Sequence, residues 1–131
     1  MLENPYFLTQ YTGYQNLKLL ASIKNKIGDE DIVHALERVG LEAADKRKVR
    51  KYSLGMKQRL GIAAAIMEEP DILLLDEPFN AIDEGGLQLI RDILADFKKA
   101  GRIVILACHD KEELESVSDE IIKMKNGKIE V

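Results

Sequence analysis

Apolar positions change their spacing about halfway along the chain, and the change separates two kinds of element. From Gln15 to Ile27, apolar groups at Leu17, Leu20, Ala21, Ile23 and Ile27, with the stem of Lys24, recur every three or four residues and predict a helix. Gly28-Asp29 ends it and caps the next, from about Glu30 to Val39, with Ile32, Val33, Leu36 and Val39 on one face. Gly40 stands where a helix closes in the left-handed conformation. Ser53 is placed to cap a third helix, Leu54 to about Met67, which buries Leu60, Ala63, Ala64 and Met67. Beyond it, Ile72 to Leu75 and Ile103 to Ala107 are unbroken apolar runs, the pattern of strands buried on both faces of a parallel sheet. Between them Glu84 to Lys99 is helical, with Leu87, Ile90, Ile93, Leu94 and Phe97 inward and Gly101 as its stop. This is a β–α–β unit, for which a right-handed crossover is expected. Lys111 to Val117 predicts a short helix, and Ile121–Met124 and Lys128–Val131 flank the hairpin turn Asn126-Gly127. The predicted class is α/β: a helical part, then a βαβ core, then a C-terminal hairpin.

Composition narrows what this chain can do. At 131 residues it is one domain or part of a larger one. With 46% hydrophobic and 32% charged residues it can fold, and with 5% aromatics and no Trp its core must be aliphatic. The net charge of −4 disfavours non-specific nucleic-acid binding, because a phosphate lattice repels it. Cys108 is the single cysteine, so a disulfide framework and a cysteine metal cluster are both excluded, and it reads as a small core residue. Charges interrupt every apolar run well short of the ~20 residues of a membrane span. The start, Met1 to Pro5, lacks the basic and apolar regions of a signal peptide. His34, within the second helix, has no partner in the pattern, and the basic run Lys46 to Lys51 reads as a solvated face.

Three places carry candidate chemistry. Asp76 and Glu77 end the first apolar strand, and ligands of open α/β sheets bind beyond the carboxyl ends of strands. One carboxylate there can hold Mg²⁺ through water and the other can polarise an attacking water. Ser53, Gly55 and Met56 lie at a helix start, where free N–H groups and the positive dipole end attract anions. His109 follows the second strand and should emerge on the same sheet edge as Asp76 and Glu77, within reach of a terminal phosphate. Each feature alone also has an ordinary explanation: a solvated acidic turn, a Ser-capped helix, a histidine at a strand end.

Together they resemble the nucleotide-binding domain of ABC (ATP-binding cassette) ATPases. Tyr52-Ser53-Leu54-Gly55-Met56 is similar to the Leu-Ser-Gly-Gly-Gln signature, with Leu54 at its first Gly and Met56 at its Gln. Ile72 to Glu77 resembles Walker B with its catalytic Glu, and Asn80-Ala81-Ile82-Asp83 resembles the D-loop. His109 falls at the switch-loop His. Thr12 to Leu17 resembles Thr-x-x-Glu-Asn-Leu, which puts Glu3 where the family's Q-loop has Gln. The resemblance implies catalytic Glu77 and His109, a metal shell of Asp76 and Glu3, and ATP contacts at Ser53, Gly55, Met56 and Asp83. It covers essentially the whole chain, with a helical and signature lobe over about residues 12–67 and a Walker B to switch-loop core over about 70–131.

The chain holds no Gly-x-x-x-x-Gly-Lys-[Ser/Thr]: its only Gly-Lys pair is Gly127-Lys128, followed by Ile129. By resemblance it begins at the Q-loop, and the strands that flank Walker B in the family are absent. The expectation is therefore unpaired strand edges, an open apolar face and self-association. The resemblance implies part of an ATP-hydrolysing subunit of an ABC transporter, using ATP and Mg²⁺, with this portion inactive alone. Its implied partners are the transporter's membrane subunit, contacted by the lobe from about Thr12 to Tyr52, and a second nucleotide-binding domain. Nucleic acid is not an implied partner, and the place is the cytoplasmic face of the cell membrane, held peripherally through the membrane subunit. The alternative is a non-catalytic half-domain that docks on a full ABC ATPase and offers its signature in trans. A DNA-maintenance ATPase of this class is disfavoured, because no sustained heptads appear and the chain is acidic.

Overall fold

The computed structural model describes residues 7–130, so Glu3 and its expected place in the metal shell lie outside the described residues. The elements in order are α1 (Gly13–Lys24), α2 (Asp29–Arg38), a 3-10 turn (Val49–Lys51), α3 (Leu54–Ile66), β1 (Ile72–Asp76), α4 (Glu84–Lys99), β2 (Ile103–Ala107), α5 (Lys111–Val117), β3 (Met124–Lys125) and β4 (Lys128–Ile129).

The helix α1 starts before Gln15 because Thr12 closes a capping box. Its hydroxyl accepts from the Gln15 N–H, and the Gln15 side chain accepts from the Thr12 N–H. Asn25 turns left-handed (φ 51°), which ends the helix at Lys24 and leaves Ile27 outside it. Leu17 and Ala21 are buried as expected, but Leu20 and Ile23 are exposed. The apolar stripe is wider than the surface α2 and α3 cover. Buried Asn16 ties the incoming loop to this helix, accepting from the Leu8 N–H (2.8 Å) and donating to the Leu8 and Thr12 carbonyls (3.0 and 2.9 Å). In α2, Ile32, Ala35 and Leu36 are buried, as is Val39 that caps its end, and Gly40 after it takes φ 75°. These helices pack on α3, whose buried face is Leu60, Ile62, Ala63, Ile66 and Met67.

Strands β1 and β2 are parallel, in register from Ile72 opposite Ile103 to Asp76 opposite Ala107. Leu73 and Leu75 are buried and share a face with half-buried Val104 and Leu106, over α3 and α4. On the other face Ile72, Leu74, Ile103 and Ile105 are each more than half exposed. The expected burial on both faces therefore does not hold. A parallel sheet is dry on both sides only when layers cover both, and the described residues supply one. The open apolar face expected from the sequence is present. An open groove of about 810 Å³ runs along β2, between it, Leu114 and Val117 of α5, and Ile122, Met124 and Ile129 of the hairpin region.

Charged side chains set the strands against α4. Arg38 and Arg102 flank the Phe97 ring at 5.7 and 5.4 Å. Arg102 donates to the Glu69 and Pro70 carbonyls, and Arg38 pairs with Glu69 (3.1 Å) and Asp96 (3.6 Å). This fixes the entry to β1 beside the end of α4. The C-terminal hairpin strands are shorter than expected, two residues each, around Asn126 (φ 50°) and Gly127 (φ 75°).

Candidate active site

The chain reverses sharply at the carboxyl end of β1. Asp76, its last residue, is half-buried opposite Ala107. Glu77 then adopts φ 47°, and Ala81 adopts φ 60° four residues on. Left-handed backbone costs a non-glycine residue on the order of 1–3 kcal/mol, so two such residues in five positions require support. The Glu77 N–H donates to the Ala107 carbonyl on β2 (2.7 Å). The Glu77 carbonyl accepts from the Gln58 side chain (2.8 Å) and the Asn80 N–H (3.2 Å). Fully buried Pro78 anchors the turn.

His109 stands two residues beyond β2, and its Nδ1 lies 2.6 Å from Glu77 Oε1. The hydrogen bond to the Glu77 carboxylate, reinforced by its charge, raises the His109 pKa above the usual 6.5. The His109 side chain is 81% exposed and that of Glu77 32%, so the pair faces solvent. Asp110 caps α5 through the Glu113 N–H, and Arg91 bridges Glu113 (2.8 Å) and Glu84 (3.4 Å), which locks α5 to α4 and fixes the His109 loop. Cys108, just after β2, is half-buried rather than the core residue expected from the sequence. Burial still pushes its thiol pKa up, which makes it a poor nucleophile.

The second group forms at the start of α3. The Ser53 hydroxyl accepts from the Met56 N–H (3.1 Å), so that amide is already capped, and the Met56 side chain packs against the core. Gly55 is needed for packing: a Cβ there would lie 2.6 Å from the Ala81 carbonyl oxygen. Asp83 caps α4 by accepting from the Gly86 N–H (2.9 Å). Glu77 and His109 are thus in contact, with Asp76 the residue before Glu77 and Asp83 at the end of the same turn. Among the described residues no hydrogen bond joins Ser53, Met56 or Asp83 to them. The two groups meet through Gly55 under Ala81 and Gln58 under Glu77. Gln58 was not singled out in the sequence, because one glutamine on a helix carries no periodic signal. Its position five residues past the capping serine was the available clue.

Residues 2–80 match the family model described as ABC transporter. The chain belongs to this family. An ABC transporter ATP-binding protein of Bacillus subtilis (strain 168), YybJ, is 50% identical over 130 residues, which is 99% of this chain and 60% of that protein. The bacitracin transport ATP-binding protein BcrA of Enterococcus faecalis is 41% identical over 97% of this chain and 42% of its own length. The lantibiotic transport ATP-binding protein SrtF of Streptococcus pyogenes is 37% identical over 98% of this chain and 56% of its own. This ABC chain therefore spans about 60% or less of the length of these relatives. Its fold matches the dimeric post-hydrolysis ATP-binding cassette MJ0796 bound to ADP and Pi, with a TM-score of 0.84 and 23% identity, over 99% of this chain and 59% of that one.

Asp76 and Glu77 offer hard carboxylate oxygens, and no group of three or more metal-ligating side chains occurs among the described residues. One or two carboxylates, with water and phosphate completing the shell, is the donor set Mg²⁺ takes. For the nucleotide, this sequence holds no Gly-x-x-x-x-Gly-Lys-[Ser/Thr] phosphate cradle.

Proposed function

We propose that this chain is the signature-to-switch portion of the ATP-hydrolysing subunit of an ABC transporter. The observation that carries this reading is the Glu77–His109 contact (2.6 Å) at the carboxyl ends of two parallel strands, with Asp76 beside it. Glu77 is the general base, accepting the proton of the attacking water. Asp76 would hold Mg²⁺ through water, and Mg²⁺, when bound, neutralises charge on the phosphates. His109, oriented by Glu77 and readily protonated, donates a hydrogen bond toward the terminal phosphate. Ser53, Gly55 and Met56 form the anion-facing helix start, which serves a nucleotide held by a second nucleotide-binding domain. Asp83 belongs to the turn between the two sites. Glu3, in the segment before the lobe, is assigned to the metal shell by resemblance alone.

The division into a lobe over about residues 12–67 and a core over about 70–131 belongs to the same reading. The lobe faces the membrane subunit, and the complete subunit sits peripherally on the cytoplasmic face of the membrane. No helix among the described residues is long and apolar enough to cross a membrane. Names of two relatives refer to bacitracin and lantibiotic transport, which favours a peptide-antibiotic cargo. The test is Glu77→Gln in the complete subunit, which keeps shape and loses the basic carboxylate. ATP binding should persist while turnover falls roughly 10²-fold or more. Unchanged steady-state turnover would remove Glu77 from the role.

A further inference from the structure

The turn after β1 holds its unusual backbone against a helix distant in sequence. Glu77 is left-handed (φ 47°), and three contacts keep its two peptide groups in place. Its N–H reaches the Ala107 carbonyl on β2 (2.7 Å). Its carbonyl receives the Asn80 N–H (3.2 Å) from within the turn, and the Gln58 side-chain amide (2.8 Å) from α3, nineteen residues earlier. Only the Gln58 contact comes from the helix that starts at Ser53. One turn earlier on that helix, Gly55 leaves no room for a side chain, since a Cβ there would lie 2.6 Å from the Ala81 carbonyl oxygen, so α3 lies against the turn at both of its left-handed residues.

We propose that Gln58 is a positioning residue: its side-chain amide holds the Glu77 peptide in the left-handed turn from which the carboxylate reaches His109. The catalytic meaning of this rests on the reading of Glu77 as the base. The grip itself is a property of the folded chain. The Asn80 N–H is the longer of the two bonds to this carbonyl and moves with the turn, so it cannot fix the turn relative to α3. The Gln58 amide can, because α3 is anchored in the core through Leu60 and Ala63. The start of α3 also carries Ser53, so a displacement of that helix end is passed to the Glu77 carbonyl through one side chain.

The experiment is amide hydrogen exchange by NMR on the full 131-residue chain, with Gln58→Met and Gln58→Lys. Methionine keeps the length and removes the donor, whereas lysine restores an N–H donor of similar reach. Gln58→Met removes a bond to the Glu77 carbonyl, so the turn should open more often and the Glu77 N–H, whose own bond runs to Ala107, should exchange about fivefold faster or more, the factor that one ordinary hydrogen bond adds to the opening equilibrium. It should also change the Glu77 three-bond H–N–Cα–H coupling, which reports its φ. Gln58→Lys should reverse both, and the Leu60 and Ile90 amides should stay as in the parent chain. An unmoved Glu77 amide in Gln58→Met would overturn the proposal. So would acceleration that spreads to Leu60 and Ile90 or that lysine fails to reverse, since either marks general loosening. No nucleotide enters the measurement, so this result and the Glu77→Gln turnover test succeed or fail separately.

Discussion

Gly55 and Gly85 allow a controlled test of how α3 meets the turn after β1. Each is the second residue of its helix, each follows a side-chain cap (Ser53 or Asp83), and in each helix that cap bonds the N–H one residue further on. Replacing either by Ala therefore gains about the same helix propensity, roughly 0.5–1 kcal/mol. Their surroundings differ. A Cβ on Gly85 meets nothing closer than Asp83 Oδ1 at 3.9 Å, an ordinary contact. A Cβ on Gly55 would lie 2.6 Å from the Ala81 carbonyl oxygen, which belongs to backbone and cannot rotate aside. Ala81 is left-handed and sits between the pinned Glu77 peptide and the Asp83 cap, so its carbonyl has little freedom to withdraw. Overpacking of this kind costs about 1–3 kcal/mol. With the propensity gain cancelling, Gly55→Ala should be less stable than Gly85→Ala by about 1–3 kcal/mol. Urea unfolding of both variants measures this as a difference in midpoint at unchanged slope. If the two agree within about 0.5 kcal/mol, the close approach of α3 to Ala81 is wrong.

The folded His109 pKa lies above its unfolded value, so the Glu77 pair adds stability that is fully present below about pH 6.5 and is lost as pH rises through the elevated folded value. Glu77→Gln should return the His109 NMR titration toward its ordinary range and cost more stability near pH 6 than near pH 9; a titration that Glu77→Gln leaves in place would refute the pairing. The open face of Ile72, Leu74, Ile103 and Ile105 should drive self-association, seen in sedimentation as a mass that rises with concentration. The double substitution Leu74→Lys and Ile105→Lys should return the chain to monomer, and a parent chain that is monomeric at every concentration would contradict this.

Much of the fold was legible where punctuation residues are strong. Helices α4 and α5 match their expected bounds because Asp83 and Asp110 cap them by side-chain bonds and Gly101 takes φ 73° just past α4. Helix α1 starts at Gly13 rather than the expected Gln15 because the capping box turns on Thr12, and apolar spacing carries no information about it. The strands were found, but their burial was not. An unbroken apolar run states what both faces want, and the covering layers determine what they receive. The site shows the same division. Asp76, Glu77 and His109 were placed on one sheet edge by strand order alone, and the structure brings Glu77 and His109 into contact. The supports of that edge, Gln58 and the left-handed turn, depend on a tertiary contact between residues nineteen apart, for which spacing from the capping Ser53 is the only local clue.

The measurement closest to the central claim is calorimetry with Mg-ATP on the 131-residue chain, alone and joined to a Walker A-bearing segment of the family. Alone, the chain offers a surface helix start worth about 0.3–1 kcal/mol to an anion. Micromolar binding needs about 8 kcal/mol. Its carboxylates at Asp76 and Glu77 repel a triphosphate unless Mg²⁺ accompanies it. The account predicts no saturable micromolar binding by the chain alone and saturable binding once the segment is joined. Micromolar binding by these 131 residues alone, or none by the joined protein, would contradict it.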